Sequence, residues 1–227
     1  MAGSLFVVAT PIGNLEDISL RAINTLKKVD IIVAEDTRVT SRLLKKYNIN
    51  KSLTSFHINN EAHKLEKIIS FLNDDKDIAL VSDAGTPCIS DPGYLLVYKA
   101  RKENIKVYSL PGASSSIAAL SISGLPSEKF YFEGFLPKKK GKQKRIEYLS
   151  QIDCTTVIFE SPYRLIKTVE NLFRIMGNRY ISICKEISKI NEEVFFGRME
   201  DVIFDLKEKP AIKGEYVILI AKEGYNG

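Results

Sequence analysis

The sequence predicts an α/β protein made of two α/β domains, and two observations lead to this fold class. Short runs of β-branched residues alternate with segments whose apolar residues recur at helical spacing. Alternation of this kind gives a mainly parallel sheet with right-handed crossover connections. The second half of the chain repeats strands and helices in a pattern of its own. We therefore expect an N-terminal α/β domain over residues 1–118 and a C-terminal α/β domain over residues 119–227.

The elements of the first half follow from local pattern. The residues Leu65, Ile68, Ile69 and Leu72 form an i, i+3, i+4, i+7 stripe, which predicts a helix that ends at Asn73-Asp74. A second helix is predicted to begin in the serine-rich segment 113–120 and to end near 124–126, where Gly and Pro occur. The predicted strands are Leu5–Ala9, Ile31–Ala34, Ile78–Val81 and Val107–Leu110.

The second half contains one helix that is especially clear. Its apolar residues recur at helical spacing from Leu165 to Met176, and Gly177 supplies the C-terminal stop. Strands are predicted on both sides of this helix. They are Lys129–Phe132, Thr155–Phe159, Tyr180–Cys184 and Glu215–Ala221.

Four predicted strand ends in the first half carry turn-forming or polar residues, and they point to a ligand site. The carboxyl ends of parallel strands meet at one edge of a sheet, where α/β proteins bind ligands. The longest of these loops, 82–93, contains Asp83, Thr86 and Asp91 among several Gly and Pro residues. Backbone N–H groups and hydroxyls at such an edge suit a polar ligand. The four segments are 10–14, 35–38, 82–93 and 111–116.

Composition excludes several classes of protein. The chain has 227 residues, of which 44% are apolar, so it can bury a core. Its three cysteines are far apart, and its two histidines do not form a ligand-spaced cluster, so neither a disulfide framework nor a zinc site is indicated. A Mg²⁺ ion held by carboxylates and water remains an alternative. No dinucleotide or P-loop glycine motif occurs. Without a signal peptide or a long apolar run, we expect a soluble cytoplasmic protein.

A dense basic run suggests a phosphate-rich partner. Residues 138–145 contain six positive charges, and several aromatic residues precede them. Arg38 and Arg42 add positive charge on another segment. A solvated loop followed by a helix start is the simpler interpretation, but the aromatic residues favour nucleic acid. The candidate RNA-binding residues are Arg38, Arg42, Lys138, Lys139, Lys140, Lys142, Lys144 and Arg145.

Six motifs resemble those of the ribosomal RNA small subunit methyltransferase I family, a branch of the tetrapyrrole methylases. The resemblance is collinear over nearly the whole chain. It implies two α/β domains with S-adenosylmethionine in the cleft between them, homodimerisation, and 2′-O-methylation of a cytidine in the decoding region of 16S rRNA. The motifs are Thr10-Pro11-Ile12-Gly13-Asn14-Leu15, Glu35-Asp36-Thr37-Arg38, Ser82-Asp83-Ala84-Gly85-Thr86-Pro87, Pro111-Gly112-Ala113-Ser114, Gly134-Phe135-Leu136-Pro137 and Glu160-Ser161-Pro162.

The same resemblance implies which residues bind the cofactor. Small residues in two of the loops would allow the backbone to approach a bulky adenosyl group, and serines that cap a helix can also contact a ligand. Gly214 is assigned from a short match to the family over residues 213–216. The expected cofactor-binding residues are Pro11, Ile12, Asp83, Ala84, Gly85, Thr86, Ser114, Ser115, Ser161 and Gly214.

Methyl transfer to a ribose hydroxyl requires positioning and a group that takes up the proton. Glu35, Asp36 and Arg38 are the first catalytic candidates, because a carboxylate can accept the proton and Arg38 can bind a phosphate. A structural ion pair is the competing interpretation. His57 and the pair Lys185-Glu186 are further candidates. Two other functions remain open: methylation of a small tetrapyrrole, and RNA binding without catalysis.

Overall fold

The computed structural model describes residues 2–227, which form two compact units. The units are residues 2–114 and Ser115–Gly227. The sequence placed the division after residue 118, which lies inside the helix Ser115–Ile122. The structural division therefore comes four residues earlier, at the start of that helix.

The first unit contains one sheet of five parallel strands in the order β3-β2-β4-β1-β5. This confirms the mainly parallel sheet predicted for the first half. The strand order places β4 between β1 and β2, so the loops after these three strands begin at neighbouring positions on one edge. The strands are β1 (Ser4–Val8), β2 (Ile31–Ala34), β3 (Ser52–Ser55), β4 (Ile78–Val81) and β5 (Lys106–Leu110).

Helices cover both faces of the first sheet. The central strand β4 is buried at all four positions, as a continuous apolar run predicts for a strand with two covered faces. One face packs against α1 (Leu20–Lys28) and α2 (Thr37–Lys46), and the other against α3 (Glu61–Asn73) and α4 (Tyr94–Lys102). This double coverage leaves the ends of the strands as the places where polar loops can collect.

The second unit also has five strands, in the order β6-β7-β10-β8-β9. Only β6 and β7 are parallel, and the other neighbouring pairs are antiparallel. The strands are β6 (Phe130–Phe135), β7 (Thr155–Glu160), β8 (Tyr180–Lys185), β9 (Glu193–Arg198) and β10 (Tyr216–Ile220).

The core of the second unit is centred on β10, which is buried at all five positions. One face of the sheet packs against α6 (Lys142–Ser150), α7 (Leu165–Met176) and α8 (Met199–Glu208). The other face packs against α5 (Ser115–Ile122), through Ala119 and Leu120. Gly177 ends α7 with a positive φ of 77°, as the sequence predicted.

Candidate functional site

Three of the predicted loops in the first unit are joined at the carboxyl end of the sheet. Thr10, after β1, and Gly85, after β4, exchange two backbone hydrogen bonds, with N···O distances of 2.8 and 3.0 Å. The loop after β5 joins them, because the Thr86 hydroxyl donates to the carbonyl of Ala113 at 3.1 Å. The convergence expected from the sequence therefore holds for these loops, and it rests on specific hydrogen bonds.

The backbone approaches in this region require very small residues. A Cβ placed on Gly112 would lie 2.9 Å from the Cβ of Ala9, closer than two such carbons can pack. Gly85 has a φ of +84°, a conformation that glycine adopts without strain. Pro11 and Gly85 are buried, whereas Ala84 is exposed and Ser114 is half-buried. The loops thus form a closely packed framework that presents backbone and small side chains at its surface.

Carboxylates gather where β2 and β4 end. The backbone N–H of Asp36 donates to Oδ1 of Asp83 at 2.9 Å. Burial raises the pKa of Glu35, and the negative charge of Asp83 adds to this increase. Burial, with a contribution from the charge of Glu35, raises the pKa of Asp91 to about 6. Glu35 and Asp91 are therefore the carboxyl groups of this cluster that hold a proton most readily.

Asp36 differs from its neighbours because it is fixed in its charged form. Its carboxylate accepts from the backbone N–H of Arg38 at 2.8 Å and so caps α2. It also forms an ion pair with the guanidinium of Arg38, with an N···O distance of 2.5 Å. The hydrogen bonds from Arg38 lower the pKa of Asp36 to about 2. Such a carboxylate is a weak base, so Asp36 is better suited to shape the site than to accept a proton.

His57 lies two residues after β3. Its Nε2 is 3.0 Å from the side-chain amide nitrogen of Asn60. Within residues 2–227, buried Nδ1 has no hydrogen-bond partner. The charge of His57 acts on the carboxyl group of Glu35 and opposes the increase in its pKa. His57 is thus a neighbour of the acidic cluster rather than a member of a hydrogen-bonded catalytic chain.

The second unit brings two predicted cofactor residues to one edge of its sheet. Tyr216 pairs with Glu160 on one side and with Lys185 on the other. Ser161 follows Glu160, and Gly214 lies two residues before Tyr216, so both occupy the same edge. Two of the predicted cofactor residues of the second unit therefore share one edge of its sheet.

A buried network holds the turn that contains Ser161. The Glu160 carboxylate is completely buried and accepts from the backbone N–H of Ser161, from the guanidinium of Arg164 and from the hydroxyl of Thr168. Lys142 donates to the same threonine hydroxyl at 2.7 Å. The sequence identified the segment 160–162 as a motif, but it did not reveal that Thr168 and Lys142 complete this network.

Gly214 is packed tightly against a charged side chain. It has a φ of +98°, and a Cβ at this position would lie 2.6 Å from Cγ of Glu186. Glu186 accepts hydrogen bonds from the Glu215 backbone N–H and from Lys189. Lys185 instead pairs with Glu193, at 3.4 Å. Lys185 and Glu186 therefore have separate partners and do not form the pair considered from the sequence.

The structure divides the basic run into two classes of residue. Lys138, Lys139, Lys140 and Lys144 are exposed, whereas Lys142 and Arg145 are half-buried. Arg145 makes a bidentate ion pair with Glu133, both contacts at 2.6 Å, and donates to the hydroxyl of Tyr131. Lys142 belongs to the Glu160 network described above. The proposed RNA-binding role of Lys142 and Arg145 is thus weakened, because both cations have acceptors within their own unit.

Arg38 and Arg42 remain accessible on α2. The Arg38 side chain is 85% exposed despite its contact with Asp36, and Arg42 is exposed one helical turn later. Both side chains are therefore accessible, as the predicted role in RNA binding requires.

Across residues 2–227, no group of three or more His, Cys, Asp or Glu side chains has an arrangement able to hold a metal ion. In the same part of the chain, no helix is long and apolar enough to cross a membrane.

The fold is that of an α/β methylase. Residues 4–203 match the family described as Tetrapyrrole (Corrin/Porphyrin) Methylases. A solved structure titled diphthine synthase superimposes with a TM-score of 0.75, covering 99% of this chain and 92% of that chain at 18% sequence identity. At this level of identity the likeness concerns the fold alone.

Proteins similar in sequence specify the branch of this methylase family. The chain is 46% identical to Ribosomal RNA small subunit methyltransferase I of Halalkalibacterium halodurans, over 98% of this chain and 77% of that protein. It is 43% identical to the protein of the same name from Thermotoga maritima, over 97% of this chain and 100% of that protein. The chain belongs to the ribosomal RNA small subunit methyltransferase I family of the tetrapyrrole methylases.

Proposed function

We propose that this protein transfers a methyl group from S-adenosylmethionine to the 2′-oxygen of a cytidine ribose in the decoding region of 16S rRNA. The observation that carries the proposal is the joining of the loops after β1, β4 and β5, through the Thr10–Gly85 and Thr86–Ala113 hydrogen bonds. The names of the relatives support ribosomal RNA of the small subunit as the substrate.

The residues present fit the proposed cofactor. The close approach of Gly112 to Ala9 and the positive φ of Gly85 provide a surface of backbone and small side chains, which a larger residue would fill. The nearby carboxylates favour a cation such as a sulfonium. In the first unit, Pro11, Ile12, Ser114 and the segment 83–86 would hold it. In the second unit, Ser115, Ser161 and Gly214 would do so.

When bound, S-adenosylmethionine supplies an electrophilic methyl group on a positively charged sulfur. The chain must then orient the ribose and remove its proton. Holding the reacting groups in place can provide about 7–11 kcal/mol of the acceleration. Glu35 is the better candidate for accepting the proton from the 2′-hydroxyl, because its raised pKa brings it closer to neutral pH. Asp36 holds the guanidinium of Arg38, which is exposed enough to contact an RNA phosphate.

The partner in this proposal is the small ribosomal subunit or its 16S rRNA. Arg38 and Arg42 on α2, together with the exposed lysines of the basic run, supply positive charge for the phosphates. We also propose that the protein acts in the cytoplasm and as a homodimer, on the basis of the family resemblance.

The proposal is tested by methyl transfer to purified small ribosomal subunits from a strain that lacks this modification. The donor is S-adenosylmethionine with a radiolabelled methyl group, and the labelled nucleoside is identified after nuclease digestion. We expect labelled 2′-O-methylcytidine. A label on another nucleoside would refute the cytidine assignment.

Two outcomes of the same experiment would favour the alternatives. Cofactor binding by calorimetry without label in subunits or free 16S rRNA would favour a small tetrapyrrole acceptor. Absence of both label and cofactor binding would favour a protein that binds RNA without catalysis.

A further inference from the structure

We infer that Tyr163 and Phe135 form an aromatic platform on which unpaired bases of the RNA substrate stack. The inference rests on the proposed RNA substrate and adds the residues that would recognise single-stranded RNA. It begins with the exposure of these two rings. Tyr163 is 96% exposed and Phe135 is 59% exposed, although the second unit has a well-packed core.

The two residues follow neighbouring parallel strands. Phe135 is the last residue of β6 and pairs with Phe159 of β7. Tyr163 lies four residues after Phe159, in the short 3₁₀ helix Pro162–Arg164. Arg164 donates to the carbonyl of Leu136 at 3.4 Å and so joins the two loops. Both rings are therefore placed at the same end of the β6–β7 pair.

The backbone around each ring is held in place. Tyr163 has Pro162 on one side and, on the other, Arg164, whose guanidinium is bound by the buried Glu160 carboxylate. Phe135 packs edge-on against Phe159, with ring centroids 5.6 Å apart, and its remaining surface is exposed. A backbone held in place suits stacking, because less conformational entropy is lost when a base covers an exposed ring.

Exposed cations lie close in the sequence to both aromatic residues. Lys138, Lys139 and Lys140 are exposed and begin three residues after Phe135. Lys167 is exposed one helical turn after Tyr163. Aromatic faces for bases beside cations for phosphates are the combination by which proteins bind single-stranded nucleic acid. This charge selects a polyanion over a neutral protein surface as the occupant.

The test compares variants in their binding to a short fluorescent single-stranded RNA over a range of salt concentrations. Tyr163→Ala should weaken binding about tenfold, since base–aromatic stacking is lost, while Tyr163→Phe should bind like the unaltered protein. Stacking involves no phosphate, so the salt slope should stay unchanged. Phe135→Leu, which keeps an apolar contact with Phe159, should also weaken binding.

Phe204→Ala is the matched control, because Phe204 is 65% exposed on α8 of the same unit. It should leave RNA affinity unchanged. An abasic oligomer of equal length should bind the unaltered protein and Tyr163→Ala equally. Unchanged RNA affinity of Tyr163→Ala, or an equal loss in Phe204→Ala, would refute the platform.

Two further measurements separate this inference from others. If Tyr163→Ala changed the oligomeric state in sedimentation but not RNA affinity, a second copy of the chain would be the occupant and the inference would be wrong. If the unaltered protein bound no RNA and methylated none, the proposed function would fail as well. Methylation by the unaltered protein with full RNA affinity in Tyr163→Ala would overturn the platform alone.

Discussion

The backbone N–H of Asp36 and Oδ1 of Asp83 are joined by a hydrogen bond of 2.9 Å, although 47 positions separate these residues in the chain. The bond connects the loops after β2 and β4, which are neighbours in the sheet. The negative charge of Asp83 also acts on the carboxyl group of Glu35 and adds to the increase in its pKa. The candidate base therefore lies next to the loop that we propose binds the cofactor.

We expect Asp83→Ala to lower the affinity for S-adenosylmethionine about tenfold and stability by only about 1–2 kcal/mol, the cost of leaving the Asp36 N–H without its acceptor. Calorimetric titration and chemical denaturation measure the two effects. Asp205→Ala, an exposed change on α8, is the control and should alter neither. Undiminished cofactor affinity in Asp83→Ala would refute the placement.

Asp91 should make stability depend on pH. Its folded pKa of about 6 lies above the ordinary value of 3.8, so the folded protein binds the proton more tightly than the unfolded chain does. Stability from this group is therefore complete below about pH 4 and is lost as the pH rises through about 6. Asp91→Asn should be more stable than the unaltered protein at pH 8, and this advantage should disappear near pH 4.

Denaturant titrations across this pH range measure the difference for Asp91→Asn. Asp205→Asn, an exposed change on α8, serves as the control. An advantage of Asp91→Asn that stayed constant from pH 4 to pH 8 would contradict the assignment to ionisation.

Glu160→Gln should destabilise the second unit by about 3 kcal/mol, because it leaves the guanidinium of Arg164 without its anionic partner. The Arg164 side chain is 25% exposed, so water recovers part of the larger cost expected for a fully buried pair. Glu170→Gln is the matched control, because Glu170 and Lys207 form an exposed ion pair. That control should cost less than about 1 kcal/mol in denaturation. Equal losses in the two variants would contradict the role of the buried network.

Gly214→Ala should cost about 2–4 kcal/mol in chemical denaturation. Its positive φ accounts for about 1–2 kcal/mol, and the clash with Glu186 adds the rest. Gly224 provides a control for the first contribution, because it has a φ of +78° but nothing within 4 Å of the position that a Cβ would occupy. Gly224→Ala should therefore cost less than Gly214→Ala, and a reversed order would show that the contact with Glu186 is easily relieved.

The exposed lysines of the basic run should respond to mutation differently from the residues of the run that have partners within their own unit. Replacing Lys138, Lys139 and Lys140 with Gln should weaken RNA binding and reduce the magnitude of the salt slope by about 2, without loss of stability or cofactor affinity. Arg145→Gln should instead destabilise the unit, since it breaks the pair with Glu133. RNA titrations at several salt concentrations and denaturation provide the test. An unchanged slope in the lysine variant would remove these residues from the RNA-binding surface.

The strands and the main helices could be predicted from local sequence. The predicted strands Ile31–Ala34 and Ile78–Val81 have the bounds found in the structure, because continuous apolar runs mark strands buried on both faces. Strands β3 and β9 were not predicted from the sequence. Both lie at sheet edges, and the sequence of β3, Ser-Leu-Thr-Ser, lacks a continuous apolar run.

Within the candidate site, sequence alone determined which loops carry polar and small residues, since turn chemistry is local and the motifs are contiguous. Tertiary structure decided what each charged group does. Arg145 became a partner of Glu133, and Lys142 part of the Glu160 network. These roles depend on residues that folding brings together from separate parts of the chain. Hydrogen bonding to Glu133 then raises the pKa of Arg145, whereas burial lowers the pKa of Lys142. Composition and spacing carry no information about either effect.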